Sequence, residues 1–226
     1  MLKIHGVPFS AHTRKVIVAA IEKGISYEMG PVIPLNPPSG WTELSALGLI
    51  PAIQDGDFAL ADSSVICQYF ELAFPGAELY PSDAQQYARA LWIEEFVDSG
   101  LAPHVLRGLL MQRVFTPKFL GTAPDEELIQ TSLTKMIPAR FAYLEGALAG
   151  DWFAANTFSV ADITVASILM NFRFAGESLD ESRYPRLARF LRRALARPSF
   201  RKALQAEIPA AKSVGGLDLR VYDDAA

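Results

Sequence analysis

"GLIPAIQDGDFALADSS", residues 48–64, holds a proline, a tight turn and an acid followed by two hydroxyls. Asp55-Gly56-Asp57 lies between the apolar segments "PAIQ" and "FALA", a strong hairpin signal because glycine supplies the positive φ that short turns need. Pro51 stands at the entrance of the first strand, where its missing N–H does little harm. Asp62-Ser63-Ser64 precede a run with Ile66, Tyr69, Phe70 and Ala73 on one helical face, so the hairpin feeds a helix that opens on capping residues.

Upstream, "LKIHG" reads as a strand, "VPFSA" as a turn, and "HTRKVIVAAIEKG" as a helix that Gly24 stops. "SYEMGPVI" is a second strand, and the proline-bounded "NPPSGWTELSAL" an irregular or short helical crossover. The predicted order is β-α-β-α-β-β-α. "PGAELYPS", residues 75 to 82, is rich in turn formers and marks a boundary. Beyond it strand patterns stop: "DAQQYARALWIEEFVDSG", "LIQTSLTKMIPARFAYLEGALAG", "SVADITVASILMNFRFAG" and "YPRLARFLRRALARPSFRKALQ" carry helical periodicity, predicting a bundle of about five helices. "SVGGLDLRVYDDAA" reads as a loose extension.

The chain has 226 residues, 50% of them hydrophobic, enough for one or two compact domains. With 21 Lys+Arg against 25 Asp+Glu, its charge gives no reason to expect nucleic acid or an anionic membrane as partner. No apolar run reaches the length of a membrane span, and "MLKIHGVP" lacks a signal peptide's apolar core, so a cytoplasmic protein is expected. The single cysteine, Cys67, excludes an internal disulfide framework and reads as an ordinary buried residue. His5, His12 and His104 are too scattered to predict a metal site.

Taken in order, the hydroxyl in the first turn, "LIPAI" followed by "ADSS", the linker and "FSVADITVASIL" resemble the cytosolic glutathione transferases, serine-type members of the theta and zeta kind. The resemblance spans essentially the whole chain. It implies an α/β thioredoxin-like glutathione-binding domain over residues 1–75, a linker at 76–81, and an all-helical domain over 82–226. It also implies glutathione as cosubstrate, a small electrophile as second substrate, no metal, and a homodimer.

Carried over position by position, the resemblance implies a cis peptide at Ile50-Pro51, which would turn the Ile50 backbone groups toward the cysteinyl residue of glutathione. Read from the residues alone, Pro51 merely starts an edge strand. Asp62 and Ser63 are either a plain helix cap or, by the resemblance, an anion site for the γ-glutamyl carboxylate, with Asp62 beside its ammonium. Asp98, in "EEFVDSGLAPH", matches an acid that family members present across the dimer interface to that ammonium; a solvated helix face beside Glu94 and Glu95 is the other reading. Ser10, four residues before Arg14, stands where the theta-like members place a catalytic serine. It would donate its O–H to the glutathione sulfur; a helix cap, and Thr13 or His12 in its place, are the alternatives. The tetrad Ser10-Ala11-His12-Thr13 has no sulfur, so thiol-disulfide exchange by this site is excluded. Phe158-Ser159-Val160-Ala161-Asp162-Ile163 contains a capping box with a hydrophobic staple and is expected to direct folding, not chemistry. His104, Arg107, Met111 and Phe115 share a helical spacing that suits either an acceptor pocket or plain core.

The sequence departs from the family at Leu49, where members often carry Lys, Gln or His to meet the glycyl carboxylate. Between Lys23 and Arg89 no Lys, Arg or His occurs; Trp41, Arg14, Lys15 or the helical domain would have to compensate. Three functions follow: a transferase conjugating glutathione to an electrophile, a glutathione-dependent isomerase of the zeta kind, and a non-catalytic binding or interaction module. The zeta Ser-Ser-Cys motif is absent from "PFSAHTR", which ranks conjugation above isomerisation.

Overall fold

The structure, a computed structural model, describes residues 1–154 and 157–225. Strand β1 (Leu2–His5), helix α1 (Ala11–Glu22), strand β2 (Tyr27–Gly30), helix α2 (Trp41–Leu44), strands β3 (Ala52–Asp55) and β4 (Phe58–Ala61), and helix α3 (Ser63–Ala73) follow in the predicted order. The sheet runs β2-β1-β3-β4. β1 pairs parallel with β2, and β3 antiparallel with both β1 and β4. The hairpin closes at Asp55↔Phe58, with Gly56 at φ 60° where the turn requires a residue without a Cβ.

α1 is buried almost all round, from Ala11 and Thr13 through Ala20. It packs on α3 and on a helix of the second half, Val160–Phe174. That placement explains a sequence with Arg14 and Lys15 embedded among apolar residues: both side chains are buried, at 0% and 1% exposure.

The second half is helical. α4 (Ala84–Glu95) continues with wider, π-type turns over Phe96–Leu101 and Pro103–Leu120. The sequence segment ending at Gly100 is therefore only the first part of one long rod. Pro103 does not stop it: Ala102 ahead of it keeps helical backbone at φ −55°, ψ −40°, and the rod runs on to Leu120. α5 (Glu126–Thr131) runs through Ser132–Met136 into α6 (Ile137–Ala147), and α7 (Val160–Phe174), α8 (Pro185–Leu195) and α9 (Pro198–Val214) complete five rods among the described residues. Asp162 caps α7 as expected, accepting hydrogen bonds from Ser159 N and Ser159 Oγ at 2.8 and 3.0 Å and a third from Phe153 N. Phe158 and Ile163 are both buried beside it.

The C-terminal segment is not the loose extension its composition suggested. Leu217 and Val221 are buried, Asp218 N donates to Phe174 O, and Leu219–Ala225 form a 3-10 turn from which Tyr222 Oη reaches Glu207 at 3.0 Å. Alternating apolar residues hidden among glycines and acids were the signal that it docks. Ala226 lies outside the described residues.

Candidate active site

Gly6 shows how the site is assembled. A Cβ on it would come within 2.6 Å of Thr13 Oγ1 and 3.4 Å of Ile50 Cβ, so the start of α1 and the segment before β3 meet over this residue. α3 joins them where Lys15 Nζ donates to Ser64 Oγ at 2.8 Å. Ser10, Ile50-Pro51 and Asp62-Ser63 therefore converge from three separate stretches of chain.

Ser10 is the N-cap of α1 by position, its C=O accepting from Arg14 N at 2.8 Å, yet its hydroxyl makes no cap hydrogen bond. That leaves the O–H and the first backbone N–H groups of α1 available to a ligand. The two neighbours weighed against it are less available. Thr13 is buried, and its Oγ1 has no hydrogen-bond partner. His12 is half-buried, with Nδ1 3.6 Å from Asp98 Oδ1, and burial lowers its pKa despite the attraction of Asp98.

The Ile50-Pro51 peptide is cis. The β1–β3 ladder begins at His5↔Ala52, so Ile50 lies outside the paired register. Around it Val32, Trp41 and Ala52 form a small buried cluster, with Ile50 packed against it.

Asp62 opens α3 at φ 79°, ψ 125°, the only non-glycine positive φ among the described residues. Such backbone costs about 1–3 kcal/mol and persists where the surroundings impose it, often at binding sites. Its carboxylate accepts from Ser64 N and Val65 N at 2.9 and 3.1 Å, so the plain cap is formed. Ser63 is buried beside it, at 5% exposure.

Asp98 is mostly buried and does not lie on a solvated helix face. Its Oδ2 accepts from Lys15 Nζ at 2.9 Å and from Ser64 Oγ at 3.1 Å of its own chain. Lys15 also meets Glu94 Oε1 at 2.6 Å, and Tyr80 Oη lies 3.3 Å from Glu94 Oε2. Burial alone would lower the Lys15 pKa; Asp98 and Glu94 more than offset it, and the net shift is upward. Cys67, nearby and fully buried, has its thiol pKa pushed up by burial, the reverse of a reactive cysteine. The sequence reading found Asp98 but missed this cluster. Its signal was Glu94 and Asp98 four apart, on one helix face.

The cations suggested as compensation for Leu49 are engaged elsewhere. Arg14 holds both oxygens of buried Glu207 at 2.8 and 2.9 Å, with Asn171 Oδ1, Ser167 O and Phe9 O as further acceptors. The Trp41 indole donates to Gly48 O. Of the four spaced residues on the long rod, His104, Met111 and Phe115 are half-buried and Arg107 is exposed. A separate cleft of about 300 Å³ between α4 and α6, lined by Gln85, Arg89, Trp92, Ile93, Tyr143 and Ala147, contains none of the residues that converge at Ser10. Among the described residues no group of three His, Cys, Asp or Glu is arranged to hold a metal, and no helix is long and apolar enough to cross a membrane.

A thioredoxin-like sheet joined to a helical bundle, with a cis-proline beside an uncapped serine helix, defines the glutathione-transferase class. The glutathione S-transferase N-terminal domain model matches residues 4–78 and the C-terminal domain model residues 129–193, together well over half the chain. Glutathione S-transferase Z2 of Arabidopsis thaliana is 27% identical over 214 residues, covering 92% of this chain and 92% of its own. A glutathione S-transferase of Methylobacillus flagellatus KT, solved with GSH bound, is 27% identical with a TM-score of 0.77, covering 90% of this chain and 98% of its own. One from Rhodospirillum rubrum F11 has a TM-score of 0.84 at 22% identity over 99% of both chains, a likeness of fold. The chain belongs to the glutathione S-transferase family, and it is a transferase.

Proposed function

We propose that this protein conjugates glutathione to a small electrophile, and that Ser10 activates the thiol. The observation that carries the reading is the unspent Ser10 hydroxyl at the start of α1. Its O–H, donated to the sulfur, favours the thiolate by roughly 1.5–3 kcal/mol, or about 1–2 pKa units. The thiol proton leaves to solvent, the sulfur forms the new bond to carbon, and the electrophile's leaving group departs with its electron pair. Ile50 would align the cysteinyl residue through its backbone. Ser63 and Asp62 would take the γ-glutamyl end, and Asp98, just behind Ser64, would add negative charge facing the ammonium. In a homodimer a second copy would border this site. The chemistry requires a reduced cosubstrate, which suits a cytoplasmic protein.

Ser10→Ala should cut conjugation of an aryl halide by about 10- to 100-fold at neutral pH, and by less at high pH where thiolate is already abundant. An unchanged rate would reject the role. Light scattering at micromolar concentration should give twice 24.8 kDa; the monomer mass would end the homodimer reading.

A further inference from the structure

The site's two ends differ in charge. At the α3 end, Asp62, Asp98 and Ser63 offer anionic and hydroxyl groups to a ligand's amino-acid head. A γ-glutamyl peptide with its head there and its cysteinyl residue along Ile50 must place its other end over the segment that precedes Pro51. That segment has no basic residue, nor does any position from 24 to 88. It presents Leu47 and Leu49 to solvent, at 83% and 54% exposure.

Among the described residues, the neighbouring cations of the sheet-bearing half do not cover the deficit. Arg14 and Lys15 are buried and ion-paired. His5 Nε2 donates to Gln54 Oε1 at 2.7 Å, and burial lowers its pKa, which favours the neutral ring. Lys3 is paired across the ladder with Gln54, three residues beyond Pro51 and so about 10 Å along the strand. A free carboxylate at this end would exchange water for an aliphatic surface with no positive charge, which is unfavourable.

We infer that the site is selective for γ-glutamylcysteinyl thiols whose C-terminal group is neutral, such as an ester or amide, over glutathione with its free glycyl carboxylate, and that Leu49 sets this preference. The inference rests on the reading of the site as a glutathione site. The chemical class is a γ-glutamylcysteinyl peptide capped or extended by an uncharged, apolar group. Leu49 would pack against that group, where a Lys would instead attract the carboxylate.

Calorimetry with glutathione and its glycyl monoethyl ester tests this on the intact protein. The wild type is expected to bind the ester at least about threefold more tightly, and Leu49→Lys to reverse the order, while Leu49→Met keeps it. Wild-type protein that binds glutathione as tightly as the ester, or more so, overturns the inference but leaves thiol activation standing. If neither thiol binds, and neither is consumed with an aryl halide, both readings fall.

Discussion

Arg14 and Lys15 are consecutive residues of one helix, and their surroundings differ in the way that separates framework from site. Arg14 meets a single carboxylate, Glu207, and its remaining donors are spent on Asn171, Ser167 O and Phe9 O. Tyr222 completes the shell of Glu207. Lys15 meets two carboxylates, Glu94 and Asp98, so its cluster keeps a surplus negative charge. Asp98 Oδ1 remains buried without a hydrogen-bond partner, His12 beyond bonding distance at 3.6 Å. A closed set of partners holds two halves together; an open one leaves a carboxylate oxygen unpaired.

The largest expected effect breaks the closed side. Arg14→Met strands Glu207 in the interior, a loss of about 3–5 kcal/mol, or roughly 6–20 °C in melting temperature for a chain this size. A melting point unchanged within 2 °C, to order of magnitude, would show that the pair is dispensable.

A third buried acid sharpens the contrast, since Asp162 has hydrogen bonds but no cation among its partners. Burial pushes it up to about 7, against the bonds from Phe153 and Ser159 that favour the anion. Its folded pKa lies above the reference of about 3.9, so the fold binds the extra proton between these values. Its contribution to stability is full below pH 4 and is lost as pH rises through 7. Denaturant titrations across that window should show the slope, and Asp162→Asn should flatten it; an identical slope in the variant would place the titration elsewhere.

On the open side, Asp98→Asn should leave stability within about 1 kcal/mol, because Glu94 still neutralises Lys15. Glutathione binding should weaken by roughly tenfold, the scale of a charged hydrogen bond. Equal affinity for both proteins would remove Asp98 from the site.

The smallest shift is expected at Asp62→Gly. Glycine loses the two cap bonds for only a few tenths of a kcal/mol and accepts the φ of 79° without strain. Stability should hold or rise by up to about 1 kcal/mol, while glutathione binding falls. A parallel loss of both would make Asp62 a cap and nothing more.

Local chemistry made much of this legible in advance. The Asp55-Gly56-Asp57 turn and the Ser159–Asp162 box each lie within a few residues and formed as predicted. The segment was ended at Gly100 because glycine punctuates helices by propensity, whereas here packing of Leu101, Val105 and Leu109 carries the rod through it. Arg14 and Lys15 were considered as ligand cations because nothing nearby revealed their partners. Glu207 lies 193 residues from Arg14, and Asp98 lies 83 from Lys15. Such pairings leave no local pattern to read. Ser10 was singled out by the family resemblance; that its hydroxyl caps nothing is visible only in the fold.

The Arg14–Glu207 pair also bears on how the molecule is made. The cation is synthesised 193 residues before its partner, with Tyr222 later still. At about 5–20 residues per second, Arg14 waits roughly 10–40 s for a countercharge. Until then α1 has an unpaired guanidinium on the face it later buries. The sheet-bearing half, though translated before the helices it packs on, is completed only when a residue 193 positions later joins it.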